Sequence, residues 1–297
     1  MNTYLHYAKS AYLKDNIQNK LDIGTDGIEI QLLNVKKDLF WSKDWLSVLP
    51  QEQLDAIRII HMPLTKTQYR DEFIENNYGI ESKMGSDCFE RVIERVLMLM
   101  ERTLNQIGIV SHIELPDTVL KRSLIWPGEN SVQKTAWDVH VNKLRELAAK
   151  YPQIMFYIEN ATLIESPLTS YRFVKEISRP NVKMCIDTCH LMMCQYAAKV
   201  LNDAGHPYYS IKDYFKMSRD YVGMLHFCGA ADTGSGYGYG KGHGCVTDIK
   251  TAYKIYKILN KYNIVVPLTL EVREKDYTNC KNYESQLKIC KAMESII

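Results

Sequence analysis

Histidine and carboxylate side chains recur in this sequence where short apolar runs come to an end. The run Ile-Ile ends in His61, Tyr-Ile ends in Glu159, and Cys-Ile ends in Asp187. If each run is a buried strand of one parallel sheet, these side chains meet just beyond the same edge of that sheet. Imidazole nitrogens and carboxylate oxygens that converge at one point suit a divalent metal ion. The residues at such positions are His61, His112, Glu159, Asp187, His226 and Glu271.

Two sets of ligands can be separated within this group. Three carboxylates and one imidazole come from four consecutive runs, namely Glu159, Asp187, His226 and Glu271. This oxygen-rich tetrad suits Mn²⁺, Mg²⁺ or Co²⁺, and also Zn²⁺. His61 and His112 add nitrogen ligands that could bind a second ion sharing Glu159, at the roughly 3.5–4 Å separation of two-metal sites.

A purely structural role explains a single histidine better than it explains the whole group. A single histidine at a strand end is more often a hydrogen-bonded core or rim residue than a metal ligand. Several acidic and imidazole groups buried together are costly to desolvate unless a cation compensates them. The group therefore predicts a divalent metal cofactor.

Eight apolar runs alternate with amphipathic stretches along the chain. The predicted strands cover residues 3–7, 27–33, 57–62, 109–115, 154–158, 183–187, 221–227 and 265–272. The predicted helices cover residues 13–21, 43–56 with an interruption near Pro50, 86–106, 131–150, 170–177, 191–202, 211–219, 248–261 and 283–297, with Ser86 as an N-cap. This alternation predicts an α/β fold, a single (β/α)8 TIM barrel spanning residues 1–297 as one domain. The alternative is an open doubly wound sheet, but the Gly-x-Gly-x-x-Gly turn typical of that fold is absent.

Composition and charge narrow the class of protein. The 297 residues contain no apolar run long enough to cross a membrane, and residues 1–16 lack the apolar core of a signal peptide. Eight cysteines without a Cys-x-x-Cys pair indicate reduced thiols and a cytoplasmic location. A net charge of +2 gives no overall case for nucleic-acid binding. A small-molecule partner is therefore favoured, and the oligomeric state is left open.

The pattern resembles the xylose isomerase-like TIM-barrel superfamily, which includes sugar isomerases and epimerases and the endonuclease IV class of AP endonucleases. The resemblance covers nearly the whole chain and is most specific at Ile-Glu-Asn, 158–160, and Cys-Ile-Asp-Thr-Cys-His, 185–190. It implies that Glu159, Asp187, His226 and Glu271 match the metal tetrad of the sugar epimerases. It also implies that His61 and His112 match the extra ligands of the first zinc site of the nucleases.

The chain departs from the nuclease pattern after the seventh predicted strand. The resemblance implies that His190 contacts substrate, as in the epimerases, or a third metal, as in the nucleases. The nuclease Asp-x-His pair falls on glycine and tyrosine here, so Asp232 or His243 would have to replace it. The surrounding Gly-rich loop, 234–244, is either a mobile lid or a plain flexible crossover. The resemblance thus implies one to three bound ions.

Several further residues are weaker candidates for contact with a ligand. Trp41 could stack on a ligand or simply begin an amphipathic helix, and Glu29 could face the barrel mouth or pair with a core lysine. Arg273 and Lys241 could neutralise an anionic substrate or merely lie at the rim.

Three functions are compatible with these residues. In the first, an isomerase or epimerase of a carbohydrate-like substrate uses Glu159 and Glu271 as the catalytic acid/base pair, with a metal-stabilised enediolate. In the second, a zinc cluster hydrolyses a phosphodiester of DNA, as in the AP endonucleases of family 2. In the third, a barrel without catalytic activity binds a ligand. The carbohydrate hypothesis is favoured, because the Asp-x-His pair is missing and the charge is close to neutral.

Overall fold

Eight parallel strands close into a barrel, as the sequence predicts. The computed structural model describes residues 3–11, 14–32, 44–63, 66–69, 72–75, 83–113, 131–160, 168–192, 210–229, 243–244, 246, 249–272 and 280–297. The strands are β1 His6–Ala11, β2 Gly27–Gln31, β3 Ile57–His61, β4 Lys66–Tyr69, β5 Glu72–Glu75, β6 Gly108–His112, β7 Met155–Glu159, β8 Val182–Asp187, β9 Val222–Phe227 and β10 Leu268–Leu270. The barrel order is β1-β10-β9-β8-β7-β6-β3-β2.

Helices cover the barrel between its strands. They are α1 Lys14–Asp22, α2 Trp45–Val48, α3 Gln51–Ala56, α4 Lys83–Thr103, α5 Ser131–Lys150, α6 Leu168–Ile177, α7 Ile211–Ser218, α8 Ile249–Lys261 and α9 Lys281–Ile296. In α8 the buried side chains recur at helical spacing, which gives the helix one apolar face toward the barrel. Within the described residues, no helix is both long and apolar enough to span a membrane.

The amino-terminal part of the barrel interior is filled by side chains. Tyr7, Ile59, Val110, Tyr157, Cys185 and Met224 pack there against one another. The ring of Tyr157 fits because Gly108 and Gly223 flank it. A Cβ atom would lie only 2.4 Å from a ring atom at Gly108 and only 2.7 Å from one at Gly223. This packed layer leaves the opposite, carboxyl-terminal mouth as the place for polar side chains.

Several elements differ from the sequence-based prediction, and β10 is shorter than its predicted range of 265–272. The first strand, β1, covers residues 6–11 and not 3–7. Lys9 and Ser10 are polar although they are buried in this strand, so the apolar run in the sequence ends before the strand does. Helix α4 begins at Lys83, so Ser86 lies inside the helix and is not its N-cap. The insert between β3 and α4 contains the antiparallel pair β4 and β5, which the sequence analysis missed.

Candidate metal centre

The six predicted ligands all lie at the carboxyl-terminal mouth of the barrel. Four of them end their strands, namely His61 in β3, His112 in β6, Glu159 in β7 and Asp187 in β8. His226 is the penultimate residue of β9, and Glu271 directly follows β10. Strand register places His112 beside Glu159, and Asp187 beside His226. The closed barrel thus brings together residues that lie up to 210 positions apart, from 61 to 271.

Glu159 lies at the centre of the group and faces two sets of imidazoles. Its Oε2 is 3.0 Å from Nε2 of His61 and 2.8 Å from Nε2 of His112. Its Oε1 is 3.2 Å from Nδ1 of His226. The carboxylate therefore has one oxygen for each of two neighbouring sets of potential ligands, the arrangement expected of a bridging ligand.

The tetrad of Glu159, Asp187, His226 and Glu271 offers four ligand atoms that all lie within 4.8 Å of one another. Nδ1 of His226 is 2.8 Å from Oε2 of Glu271 and 3.9 Å from Oδ2 of Asp187. Nevertheless, Nδ1 of His226 and Oε2 of Glu271 are buried and form no hydrogen bond of acceptable geometry with a described residue. Buried polar atoms are rarely left so. Atoms that converge without bonding one another fit a cation placed between them.

The outer nitrogens of two of these histidines are held by other groups. Nε2 of His226 lies 3.1 Å from Oε2 of Glu29, and Nδ1 of His61 lies 2.8 Å from the carbonyl oxygen of Met62. A carboxylate and a carbonyl both accept, so each histidine donates its outer N–H. With a cation bound, the inner nitrogen, Nδ1 of His226 and Nε2 of His61, would be the one available to ligate it. Metal-binding histidines are typically oriented in this way.

Substitution of Glu29 with glutamine is expected to weaken metal binding about 10–100-fold, because the charged acceptor that fixes the His226 tautomer is replaced by a neutral one. Competition titration of Co²⁺ against a chromophoric chelator measures the effect. Glu284→Gln on the exposed surface of α9 is the matched control and should bind Co²⁺ like the wild type. Equal affinities in Glu29→Gln and wild type would show that Glu29 does not orient a ligand.

Asp187 is fixed by the backbone that follows its strand. Its Oδ1 accepts a hydrogen bond of 2.7 Å from the main-chain N–H of His190, as a residue at a helix N-cap does. Its own N–H donates to Oδ1 of Asn160. Nδ1 of His190 is 2.8 Å from the carbonyl oxygen of Asn160, so that nitrogen donates and Nε2 is left for other partners. Only Oδ2 of Asp187 faces the group of histidines.

Charge in the metal-free centre is balanced by protons on imidazoles and by one buried lysine. Burial raises the pKa of Glu159, but the positive charges of His226 and His112 hold that pKa well below its usual range. Burial also raises the pKa of Glu271, but Lys9 first, and then His243 and His226, hold it well below its usual range. Burial would lower the pKa of His226, yet nearby acidic groups hold it well above its ordinary value. Lys9 Nζ lies 2.8 Å from Oε1 of Glu271 and 3.7 Å from Oε1 of Glu29.

The stability of the metal-free protein is expected to fall as the pH rises from about 6.5 to about 9. Burial lowers the pKa of His243, but Glu271 and Asp187 outweigh it and raise the pKa from 6.5 to about 9. A raised folded-state pKa contributes stability that is complete below the unfolded value and is lost as the pH passes the folded value. Urea midpoints of chelated protein across this range measure the loss.

The metal-loaded protein should lack this decline, because a cation held by Asp187 and Glu271 would offset the negative charge that keeps His243 protonated. His243→Gln in the chelated protein should have a shallower decline than the wild type. A midpoint that stays constant or increases across the range in chelated wild type would contradict the charge assignment.

Some predicted residues cannot be placed in the centre. Trp41, Asp232, Lys241 and Arg273 lie outside the described residues, as does most of the Gly-rich loop. His243 does lie in the centre, with Nε2 3.3 Å from Oδ2 of Asp187.

Two residues of the centre were not predicted from the sequence, Lys9 and Cys228, and Glu29 had two alternative roles. Lys9 was not predicted because the first strand was predicted to end at residue 7. In the structure Lys9 lies opposite Glu29 in the strand register, which places Lys9 at the mouth. Glu29 pairs with Lys9 and with His226, which agrees with its predicted lysine partner. Cys228 directly follows β9, two positions after His226, and that spacing on a strand is the signal that was available.

The chain matches the model of a protein family over residues 22–293, and the family is described as the xylose isomerase-like TIM barrel. The protein therefore belongs to the xylose isomerase-like TIM barrel family, as the sequence motifs indicate. No curated protein sequence matches the chain.

Solved structures share the fold at low sequence identity. A xylose isomerase domain protein from Planctomyces limnophilus is 14% identical, with 100% of this chain and 98% of that chain covered and a TM-score of 0.63. The IolI protein with a bound zinc atom is 12% identical, with 100% and 97% covered and a TM-score of 0.60. A D-psicose 3-epimerase, solved in the presence of D-fructose, is 12% identical, with 100% and 98% covered and a TM-score of 0.52. At such identities the similarity shows the fold alone.

Proposed function

We propose that this protein is a divalent-metal-dependent isomerase or epimerase of a sugar or a related polyol. The observation that carries the proposal is the position of Glu159 and Glu271, whose carboxylates approach the same nitrogen of His226 at 3.2 Å and 2.8 Å. Two carboxylates beside one cation position could remove a proton from a substrate carbon and return it to the same or a neighbouring carbon. The D-psicose 3-epimerase, which shares the fold, supports this class of activity, and the zinc-bound IolI protein supports a divalent cation in such a barrel.

Each residue has a separate task in this proposal. A bound divalent cation would polarise a substrate carbonyl oxygen as a Lewis acid. Glu159 and Glu271 are ionised at neutral pH because their pKa values are lowered, so either can accept the carbon-bound proton. Lys9, 2.8 Å from Glu271, holds that carboxylate in place and keeps it charged. His190, whose Nδ1 is held by Asn160, would orient a substrate hydroxyl with Nε2.

Hydrolysis of a phosphodiester is the second candidate, and one observation favours it. His61 and His112 both approach Oε2 of Glu159, at 3.0 Å and 2.8 Å, while Oε1 faces His226. A carboxylate with its two oxygens turned to two ligand sets could bridge two cations, and paired metals suit attack of water on a phosphoester. This candidate would have DNA or another phosphodiester as substrate.

One pair of assays separates the two candidates. The protein, loaded in turn with Mn²⁺, Co²⁺ and Zn²⁺, is incubated in deuterium oxide with a panel of ketoses and, separately, with an abasic-site duplex. The proposal expects deuterium at the exchanged carbon and appearance of the isomeric sugar, both lost in Glu271→Gln. Incision of the duplex at low enzyme concentration, without sugar turnover, would replace it with the second candidate. A chain that retains no divalent ion after reconstitution would instead indicate a non-catalytic ligand-binding barrel.

A further inference from the structure

A thiol lies beside the tetrad, next to the carboxylate of Asp187. Cys228 is fully buried, and its Sγ is 3.6 Å from Oδ1 and 3.5 Å from Oδ2 of Asp187. His243 approaches the same Oδ2 from another side, with Nε2 at 3.3 Å. The ligand atoms of Asp187, Cys228 and His243 all lie within 4.8 Å of one another. We call these three residues the thiol site.

The backbone holds the two distant segments of the thiol site together. Gly229, which follows Cys228, forms an antiparallel bridge with Gly244, which follows His243. Both main-chain hydrogen bonds of this bridge are short, at 2.8 Å and 2.9 Å. His243 itself has a φ of 65°, an unusual conformation for a residue with a side chain. The bridge therefore sets the imidazole beside the thiol, although 15 positions separate residues 228 and 243.

The distances agree with those between ligands of one tetrahedral zinc ion. Zinc bonds of about 2.3 Å to sulfur and about 2.0–2.1 Å to oxygen and nitrogen put sulfur and oxygen about 3.5 Å apart, and nitrogen and oxygen about 3.3 Å apart. The observed separations from Oδ2 of Asp187 are 3.5 Å to Sγ of Cys228 and 3.3 Å to Nε2 of His243. The nitrogen–oxygen distance is longer than most direct N–H···O hydrogen bonds.

The imidazole of His243 approaches two carboxylates without forming a well-aligned hydrogen bond to them. Its Nε2 is buried and forms no hydrogen bond of acceptable geometry with any residue in the described part of the chain. Oδ1 of Asp187 already accepts the His190 N–H, which leaves Oδ2 directed at the thiol site. Oε1 of Glu271 is 3.6 Å from Nε2 of His243, so Glu271 could supply a fourth ligand.

We propose that Asp187, Cys228 and His243 form a further metal site beside the tetrad, selective for a thiophilic ion such as Zn²⁺ or Co²⁺ over Mg²⁺ or Mn²⁺. Thiolate sulfur is a soft ligand that these last two ions avoid, whereas zinc and cobalt accept sulfur, nitrogen and oxygen together. Asp187 is the shared ligand, because its Oδ2 is also 3.9 Å from Nδ1 of His226 in the tetrad. The fourth position is open to Glu271, water or a substrate atom. This site goes beyond the proposed isomerase activity, which requires only the tetrad.

Absorption spectroscopy of the cobalt-loaded, full-length protein tests the thiol site. Co²⁺ bound to a thiolate gives an intense charge-transfer band in the near ultraviolet, whereas Co²⁺ bound only by oxygen and nitrogen gives weak visible bands. The wild type, kept reduced, is expected to develop the near-ultraviolet band on titration with Co²⁺. Cys228→Ser should lose that band and keep the visible bands of cobalt in the tetrad.

Two neighbouring thiols provide matched controls. Cys189 accepts the main-chain N–H of His243 at 3.4 Å, and Cys185 lies within ligand distance of Glu159 and His226. Cys189→Ser and Cys185→Ser should both retain the band. A band that persists in Cys228→Ser, or that is lost in either control, would overturn the assignment.

A second variant keeps the test decisive if Cys228→Ser does not fold, as judged by near-ultraviolet circular dichroism. His243→Gln alters the half-buried imidazole and should shift the band and weaken Co²⁺ binding at the thiol site. An unchanged band and affinity in His243→Gln would overturn the proposal. Visible cobalt bands without a charge-transfer band in the wild type would refute the thiol site and leave the isomerase hypothesis in place.

Discussion

Asp187→Ala is expected to abolish turnover and to weaken divalent-metal binding by about 100-fold or more. Complete zinc sites bind with roughly 10–16 kcal/mol, so one of four ligands accounts for about 3 kcal/mol, or about two powers of ten in affinity. The loss should reach at least this size because Oδ2 of Asp187 faces both His226 and His243. Inductively coupled plasma mass spectrometry of dialysed protein and a competition titration measure it.

The control for this prediction is a carboxylate far from the mouth. Asp220 lies two residues before β9 at the opposite end of the barrel, and 76% of its side chain is exposed. Asp220→Asn should therefore keep wild-type metal content and activity. Asp187→Asn preserves the size of the side chain and should behave like Asp187→Ala, since the neutral amide is a poor ligand. Wild-type metal content in either Asp187 variant would refute the tetrad.

Lys9→Met is expected to destabilise the metal-free protein by about 3–5 kcal/mol, the usual cost of removing one partner of a buried ion pair. Glu29 is fully buried, and Lys9 lies 3.7 Å from its Oε1 and 2.8 Å from Oε1 of Glu271. Burial lowers the pKa of Lys9, but these carboxylates reverse the effect and hold it above the ordinary value, so the ammonium is charged in the fold. Urea unfolding of the chelated protein measures the change.

Two further variants show whether charge is the cause of this destabilisation. Lys9→Arg keeps the positive charge and should lose much less stability than Lys9→Met. The double variant Lys9→Met with Glu29→Gln removes the uncompensated carboxylate and should recover part of the loss. If the double variant is destabilised by the sum of the two single changes, Lys9 acts through packing and not through its charge.

The sequence alone predicted the fold and which side chains lie together at the barrel mouth. Eight apolar runs that alternate with amphipathic helices are diagnostic of a (β/α)8 barrel, since each strand needs a covering helix on its outer face. Because parallel strands of such a barrel end at one mouth, the residue that closes each run could be assigned to a common site. His61, Glu159 and Asp187 were predicted on this reasoning, and the structure places them together.

Only the tertiary structure decided which groups surround those ligands. Lys9 and Glu29 are charged residues inside strands, and they pair with each other. In the sequence alone the partner of such a residue is unknown, so a charged residue within an apolar run indicates that the strand is interrupted there. The partner of Glu29 on the other side is His226, 197 positions away, and barrel closure alone sets that contact. The same holds for Cys228 and His243, which the Gly229–Gly244 bridge aligns. Periodicity reports which face of a strand a side chain occupies, whereas contacts across the mouth depend on strand register and closure.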